Sequence, residues 1–176
     1  MTKVINLYGG PGIGKSTLAA RLYSFMAENK FKVELTREYV KDWLWSGRQV
    51  GKYDQMYFLV QQFKRESILY NKVDYVITDS PFTLAAFYGE YYRQQQFLTT
   101  AANAMRKMAE EDGVKYNDYI ITRSTEYEPL GRYETEEQAL LIDSKIEDYL
   151  ISNTIQPTKI NNNYLEIYTN LMGGNR

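Results

Sequence analysis

The stretch that most constrains this chain is GGPGIGKST, residues 9–17, which follows the apolar segment VINLY. Four of its first six residues are glycines, and a glycine inside a helix or strand costs about 0.5–1 kcal/mol relative to alanine. The segment is therefore predicted to be a bare turn between a strand and a helix. In that setting the spacing matches G-x-x-x-x-G-K-[ST], a loop whose backbone N–H groups surround phosphates.

Each part of this loop has a predicted role. The nucleotide-binding residues are predicted to be Gly9, Gly10, Pro11, Gly12, Ile13, Gly14, Lys15, Ser16 and Thr17. The glycines let N–H groups form an anion-binding nest, and the helix that starts at Lys15 adds its positive dipole end. Lys15 is predicted to reach the β- and γ-phosphates, and the Ser16 hydroxyl to ligate Mg²⁺. A turn that merely joined strand to helix would not require the Lys-Ser pair.

Composition narrows the available chemistry. The chain contains no cysteine and no histidine, which excludes thiolate nucleophiles, imidazole bases and metal sites built from those residues. Catalysis would use carboxylates, Lys, Arg, hydroxyls, backbone amides and an oxygen-liganded metal such as Mg²⁺. A formal charge of −1 gives no strong nucleic-acid signal, and the apolar runs are too short to span a membrane. With no recognisable signal peptide, a cytoplasmic protein is expected.

Apolar patterning alternates between strands and helices along the chain. Strands are predicted over 3–8, 31–38, 73–79, 116–123 and 164–169, and helices over 15–29, 52–71, 81–93, 95–112 and 134–152, with 39–46 unassigned. This order predicts an α/β fold of three layers, a mostly parallel five-stranded sheet with helices on both faces. The expected organisation is a single domain, 1–176, with a small lid at about 124–136.

Charged residues follow several predicted strands, where ligands bind in such sheets. Asp79 ends VDYVITD and is predicted to meet Mg²⁺, usually through water, although capping of the next helix is an alternative. Arg123 and Arg132 are predicted to stabilise charge on a transferred phosphoryl group, with surface ion pairs to nearby glutamates as the alternative.

On the helix 52–71, Gln61, Gln62 and Arg65 are candidates to face an acceptor, and a solvated helix face is an equal alternative. Aromatic candidates for the acceptor wall are Trp43, Trp45, Tyr53 and Tyr57, with packing as the alternative.

Several segments together carry a family resemblance. The glycine loop, REYVKDW, QQFKRE, VITDSPFTLAAFY and GRYETEEQALLID resemble the P-loop kinase branch, over about residues 3–168. More narrowly, their order is similar to the ribosylnicotinamide-kinase domain of bifunctional NAD-biosynthesis proteins and to the small AAA-labelled ATPases grouped with it, many of them viral. The resemblance implies a P-loop NTPase fold and phosphorylation of a small nucleoside-like acceptor with ATP and Mg²⁺. In similar deoxynucleoside kinases a glutamate after the second strand faces the acceptor hydroxyl, and Glu38 has that place here. The chain departs from those kinases at TDSP, where they carry an acid-Arg-Ser triplet.

The resulting hypothesis is a kinase whose predicted catalytic residues are Lys15, Glu38, Asp79, Arg123 and Arg132. Its acceptor, a nucleoside or a nucleoside monophosphate, is predicted to contact Arg37, Glu38, Gln61, Gln62 and Arg65. The predicted metal ligands are Ser16 and Asp79, and the predicted partner is the small-molecule acceptor, with a homodimer left open. Two alternatives remain: a P-loop ATPase with a regulatory or conformational role, and a polynucleotide 5′-kinase, which would need a basic groove along the strand.

Overall fold

A computed structural model describes residues 1–51, 53–123 and 135–173. The strands are β1 (Lys3–Tyr8), β2 (Val33–Thr36), β3 (Tyr75–Thr78), β4 (Lys115–Ile121) and β5 (Thr158–Ile160). The helices are α1 (Lys15–Glu28), α2 (Tyr39–Trp45), α3 (Asp54–Ser67), α4 (Phe82–Arg93), α5 (Gln96–Glu111), α6 (Glu136–Ser152) and α7 (Tyr164–Gly173). The predicted lid lies almost wholly outside the described residues.

The strands form one sheet in the order β2-β3-β1-β4-β5, and every neighbouring pair is parallel. The predicted α/β fold with a parallel five-stranded sheet is therefore confirmed. Because parallel strands end at the same edge, the segments after β1, β2 and β3 come together there. The strand order places the residue after β3 directly beside the glycine loop, and the residue after β2 one strand further out.

Each face of the sheet is covered by its own apolar core. Successive side chains of β1 point to opposite faces, so Ile5 and Leu7 belong to one core and Tyr8 to the other. The first core is closed by α1 and α7, through residues that include Leu18 and Ile167. The second is closed by α3, α4, α5 and α6. The predicted three-layer arrangement is thus confirmed.

The predicted fifth strand at 164–169 is wrong, because this segment is helix α7 and the fifth strand is β5. Its apolar residues follow a helical spacing: Ile167 and Leu171, four apart, are the buried ones. The Asn163 side chain accepts a hydrogen bond from the Leu165 N–H group at 3.0 Å, as an N-terminal cap does. Asn163 followed three residues later by Glu166 is a helix-start signal that the alternation of YLEIYT obscures.

Helix α3 buries polar side chains beside its apolar ones. Gln62 and Glu66 are buried together with Phe58 and Leu59, whereas Met56 is exposed. Burial raises the pKa of Glu66 to about 8, and the Phe82 N–H group and the Gln62 amide act in the opposite direction.

In the described part of the chain, no helix combines the length and apolar character that crossing a membrane requires.

Candidate functional site

The glycine loop joins β1 to α1 in a conformation that requires glycine. Gly9, Gly12 and Gly14 have φ values of 147°, 75° and 94°. Other residues rarely adopt such angles. Gly14 is the residue before α1, and no side chain caps the helix there. The first N–H groups of a helix have no partner within it, so those of α1 are available to an anion.

Two glycines of the loop, Gly10 and Gly14, lie against side chains from the later part of the chain. A Cβ atom added to Gly10 would come within 2.5 Å of Asp143 Oδ1, and one on Gly14 would collide with Asn162 Nδ2. Asn162 precedes α7, and its amide donates a hydrogen bond to the Ile13 carbonyl at 3.3 Å. The loop is therefore held on its outer side by residues from the far end of the chain.

The main support of the loop is an ion pair between Arg123, after β4, and Asp143 on α6. Asp143 accepts hydrogen bonds from the Gly10 N–H group at 2.6 Å and from Arg123 Nε at 2.7 Å. Arg123 Nη2 donates in turn to the Pro11 carbonyl at 3.0 Å. The Arg123 side chain is 8% exposed, so this pair is largely buried. We call Arg123 and Asp143 the loop brace.

Asp143 is not predicted from the sequence, although a signal for it exists. Helix α6 begins with a reciprocal cap: the Thr135 hydroxyl accepts from the Gln138 N–H group, and the Gln138 side chain accepts from the Thr135 N–H group. From that start the buried face carries Ala139, Ile142 and Ile146. Asp143 follows the buried Ile142, and a carboxylate beside an apolar face needs an oppositely charged or hydrogen-bonding partner.

Lys15 folds back onto its own loop. Its Nζ donates to the carbonyl oxygens of Gly9 at 2.5 Å and Gly10 at 2.9 Å. Burial lowers the pKa of Lys15 to about 8, while the nearby carboxylates of Glu38, Asp79 and Asp143 favour its charged form. Phosphate oxygens at the loop would supply a stronger anionic partner than two carbonyl groups do.

The predicted metal ligands and Glu38 are brought together around the ammonium group of Lys41, a residue of α2. Lys41 Nζ donates to Ser16 Oγ at 2.7 Å and lies 3.6 Å from Glu38 Oε2 and 3.9 Å from Asp79 Oδ2. The Glu38 N–H group donates to Asp79 Oδ1 at 3.0 Å. Oxygens from three separate segments thus converge on a position that already holds a cation. Lys41 is not predicted from the sequence, although it lies one helical turn after Glu38.

This set of oxygens fits a magnesium ion that is shared with phosphates. Within the described residues, no group of three or more Asp, Glu, His or Cys side chains could hold a metal by itself. Mg²⁺ normally binds through one or two carboxylates together with substrate phosphates, and it keeps several waters. The Ser16 hydroxyl and the buried Asp79 carboxylate, which is 4% exposed, provide ligands of that kind.

The predicted acceptor residues largely support α2. Arg65 donates to the Arg37 carbonyl at 3.2 Å, pairs with Asp42, and lies 4.8 Å from the centre of the Tyr39 ring. The buried Gln62 accepts from the Tyr39 N–H group at 3.0 Å. The Arg37 side chain is exposed and Gln61 is half-buried. The arrangement therefore attaches α2 firmly to α3 beside Glu38.

Among the aromatic candidates, Trp43 and Tyr57 pack together, with ring centres 5.6 Å apart. The Tyr39 hydroxyl donates a hydrogen bond to the Tyr57 hydroxyl at 3.0 Å. Trp45 and Tyr53 lie at the surface, 88% and 76% exposed. The predicted lid residue Arg132 lies outside the described residues.

Comparison with known proteins agrees with this geometry. A family model described as an AAA domain (AAA_28) matches residues 4–166. The chain belongs to this AAA domain family. The predicted resemblance of this AAA-domain protein to small AAA-labelled P-loop ATPases is therefore confirmed. No curated protein sequence matches the AAA-domain protein significantly.

Two solved structures are similar to this AAA-domain protein. The NadR protein, solved in complex with NR, is similar with a TM-score of 0.69 and 17% identity over 91% of this chain. The AAA-domain protein spans 45% of the length of that NadR chain. The APS kinase of Mycobacterium tuberculosis is similar with a TM-score of 0.45 and 15% identity, over 83% of this chain and 98% of its own. At 17% identity, the similarity to the NadR structure shows a common fold and nothing more.

Proposed function

We propose that this AAA-domain protein is a kinase that transfers the γ-phosphoryl group of ATP to a small nucleoside-like acceptor. One observation carries the proposal: a second carboxylate, Glu38, lies beside the loop, Ser16 and Asp79. Phosphoryl transfer from ATP requires the loop, a metal-binding acid and a residue that orients the attacking nucleophile. When the nucleophile is an acceptor hydroxyl, that residue is a base within hydrogen-bond reach. Glu38 is 32% exposed and thus open to such an acceptor, whereas Asp79 is buried.

The residues divide the work of transfer among them. The loop N–H groups and Lys15 bind and orient the phosphates, and the loop brace keeps the loop in shape for them. Ser16 and Asp79 would hold Mg²⁺, which would supply positive charge to offset the charge of the transferred phosphoryl group. Glu38 accepts the proton of the acceptor hydroxyl as the phosphoryl group is transferred. In this division most of the rate acceleration comes from positioning and from fixed charge.

A nucleoside-like acceptor is supported on two grounds. Arg65, which would be a natural cation for an acceptor monophosphate, is already paired with Asp42, so the side chain is poorly placed to bind a phosphate. The NadR protein, which has the same fold, is known in complex with NR, and the sequence resemblance to ribosylnicotinamide kinases agrees with that acceptor class. A nucleoside monophosphate remains the second candidate, since the Arg37 side chain is exposed.

The proposal includes a single domain, 1–176, acting in the cytoplasm, with a lid at about 124–136 that carries Arg132. Arg123 is held by Asp143 in the loop brace. Arg132 is therefore the arginine proposed to contact the γ-phosphate during transfer. With Arg123 positioning the loop, the two predicted catalytic arginines receive different roles.

The test is ATP turnover with Mg²⁺ in the presence of a panel of nucleosides, nucleoside monophosphates and a 5′-hydroxyl oligonucleotide. The kinase proposal expects one small acceptor to stimulate ADP formation, with a phosphorylated product detected by mass spectrometry. Lys15→Ala serves as the control and should abolish both signals while remaining folded by circular dichroism. ADP formation that no acceptor stimulates would favour the regulatory ATPase, and a phosphorylated oligonucleotide would favour the polynucleotide 5′-kinase.

A further inference from the structure

The ammonium group of Lys41 has a position that the roles assigned under the proposed function do not explain. It contacts the Ser16 hydroxyl at 2.7 Å and lies within 4 Å of the Glu38 and Asp79 carboxylates. An ordinary surface lysine pairs with one acid and gains little from it. Lys41 instead faces three oxygens from three segments, in the place that the proposed function gives to a metal ion.

Charge explains why a cation is needed at this position. The carboxylates of Glu38 and Asp79 both lie within 4 Å of Lys41 Nζ, so their negative charges are held close together. Asp79 is almost fully buried and has little water to stabilise it. A nearby positive charge offsets both the repulsion and the loss of hydration. Lys41, on a flexible four-carbon stem, supplies that charge.

A metal ion and this ammonium group exclude each other. A magnesium ion bonds its oxygen ligands at about 2.0–2.1 Å. An ion bound to Ser16 Oγ and facing the Asp79 carboxylate would need the space in which Lys41 Nζ lies, 2.7 Å from Ser16 Oγ and 3.9 Å from Asp79 Oδ2. Two cations at that separation would also repel each other strongly. Metal binding therefore requires the Lys41 side chain to leave.

We propose that Lys41 is an internal counter-ion that competes with the divalent metal for the Ser16–Asp79 position. Before metal arrives, Lys41 offsets part of the negative charge of the two acids and offers its charge to the phosphates of a metal-free nucleotide. When metal binds, the ammonium group is displaced. Lys41 thus weakens the preference of the site for metal-bound over metal-free nucleotide. This inference rests on the nucleotide site of the proposed function but not on the identity of the acceptor.

The test measures ADP binding to the full chain by titration calorimetry, once in EDTA and once with saturating MgCl₂. The quantity compared is the ratio of the metal-free to the metal-bound dissociation constant. Lys41→Met removes the charge and keeps the length of the side chain. It should raise this ratio by about three- to tenfold, the combined worth of two partly exposed ion pairs. Lys41→Arg, which keeps a cation, should retain a ratio close to that of the wild type.

Lys145→Met is the matched control. Lys145 forms an ion pair at the same helical spacing, 3.9 Å from Asp148, at the surface of α6 away from the loop. This variant should leave the ratio unchanged. A ratio for Lys41→Met that equals the wild-type value or falls below it would overturn the competition. Wild-type protein that binds ADP but phosphorylates no acceptor would refute the kinase and leave this inference standing, whereas failure to bind ADP at all would overturn both.

Discussion

The loop brace permits a sharp prediction of stability. Asp143→Asn keeps the shape of the side chain but removes its charge. The amide keeps one oxygen acceptor, for either the Gly10 N–H group or the Arg123 guanidinium. Since Arg123 is 8% exposed, the substitution leaves its charge buried without the carboxylate that pairs with it. We expect the folded state, and the glycine loop in particular, to be destabilised.

The magnitude follows from the burial of the two partners. Removing one member of a fully buried ion pair costs about 3–5 kcal/mol. Asp143 is 20% exposed, so water screens part of this loss, and we expect about 2–4 kcal/mol. For a chain of this length, 1 kcal/mol shifts the midpoint of thermal unfolding by about 2–4 °C. The expected decrease in Tm is therefore roughly 5–15 °C.

The measurement is the free energy of unfolding from urea denaturation, supported by Tm. Asp148→Asn is the control: its carboxylate lies on the same helix, is 73% exposed and stands 3.9 Å from Lys145, so the change should stay within about 0.5 kcal/mol. Arg123→Met combined with Asp143→Asn should cost less than the sum of the single variants, since no unpaired charge remains. An Asp143→Asn protein as stable as Asp148→Asn would refute the account of the brace.

Three further predictions concern the site and its surroundings. Glu38→Gln should leave MgATP binding nearly unchanged but slow transfer by roughly 10²–10⁴-fold, measured as kcat with the identified acceptor; an unchanged rate would favour a monophosphate acceptor instead. Arg132→Ala should lower kcat more than it weakens ATP binding, and a rise in KM for ATP alone would mean that Arg132 only binds. The pKa of Glu66 is about 8 in the folded protein and near 4.5 in the unfolded chain. As the pH rises from about 4.5 to about 8, the free energy of unfolding should therefore fall, and this group contributes at most about 1.4 kcal/mol per pH unit. Glu66→Gln should flatten that slope in urea titrations, and a slope equal to the wild type would contradict the burial argument.

The sequence predicts the parts of the site that depend on local pattern. The glycine loop is a contiguous motif, and Asp79 and Glu38 each end a recognisable strand, so their convergence follows from a parallel sheet. The roles of Asp143 and Lys41 could not be predicted, because they depend on how α6 and α2 pack against the loop. The spacing of residues within a helix does not determine that packing. The strand predicted at 164–169 is wrong because the short apolar run of this segment fits both the strand and the helix period, and the capping hydrogen bond of Asn163 distinguishes the two.

The order of the strands also determines when the site can form during synthesis. The glycine loop is made first, yet Gly10 is braced by a residue 133 positions later and Ile13 by one 149 positions later. The central strand β1 likewise waits for β3 and β4 before it has neighbours on both sides. A chain emerging from the ribosome at about 5–20 residues per second spends many seconds with this loop exposed and unsupported. Nucleotide binding by such a chain would therefore report that nearly all of it has folded.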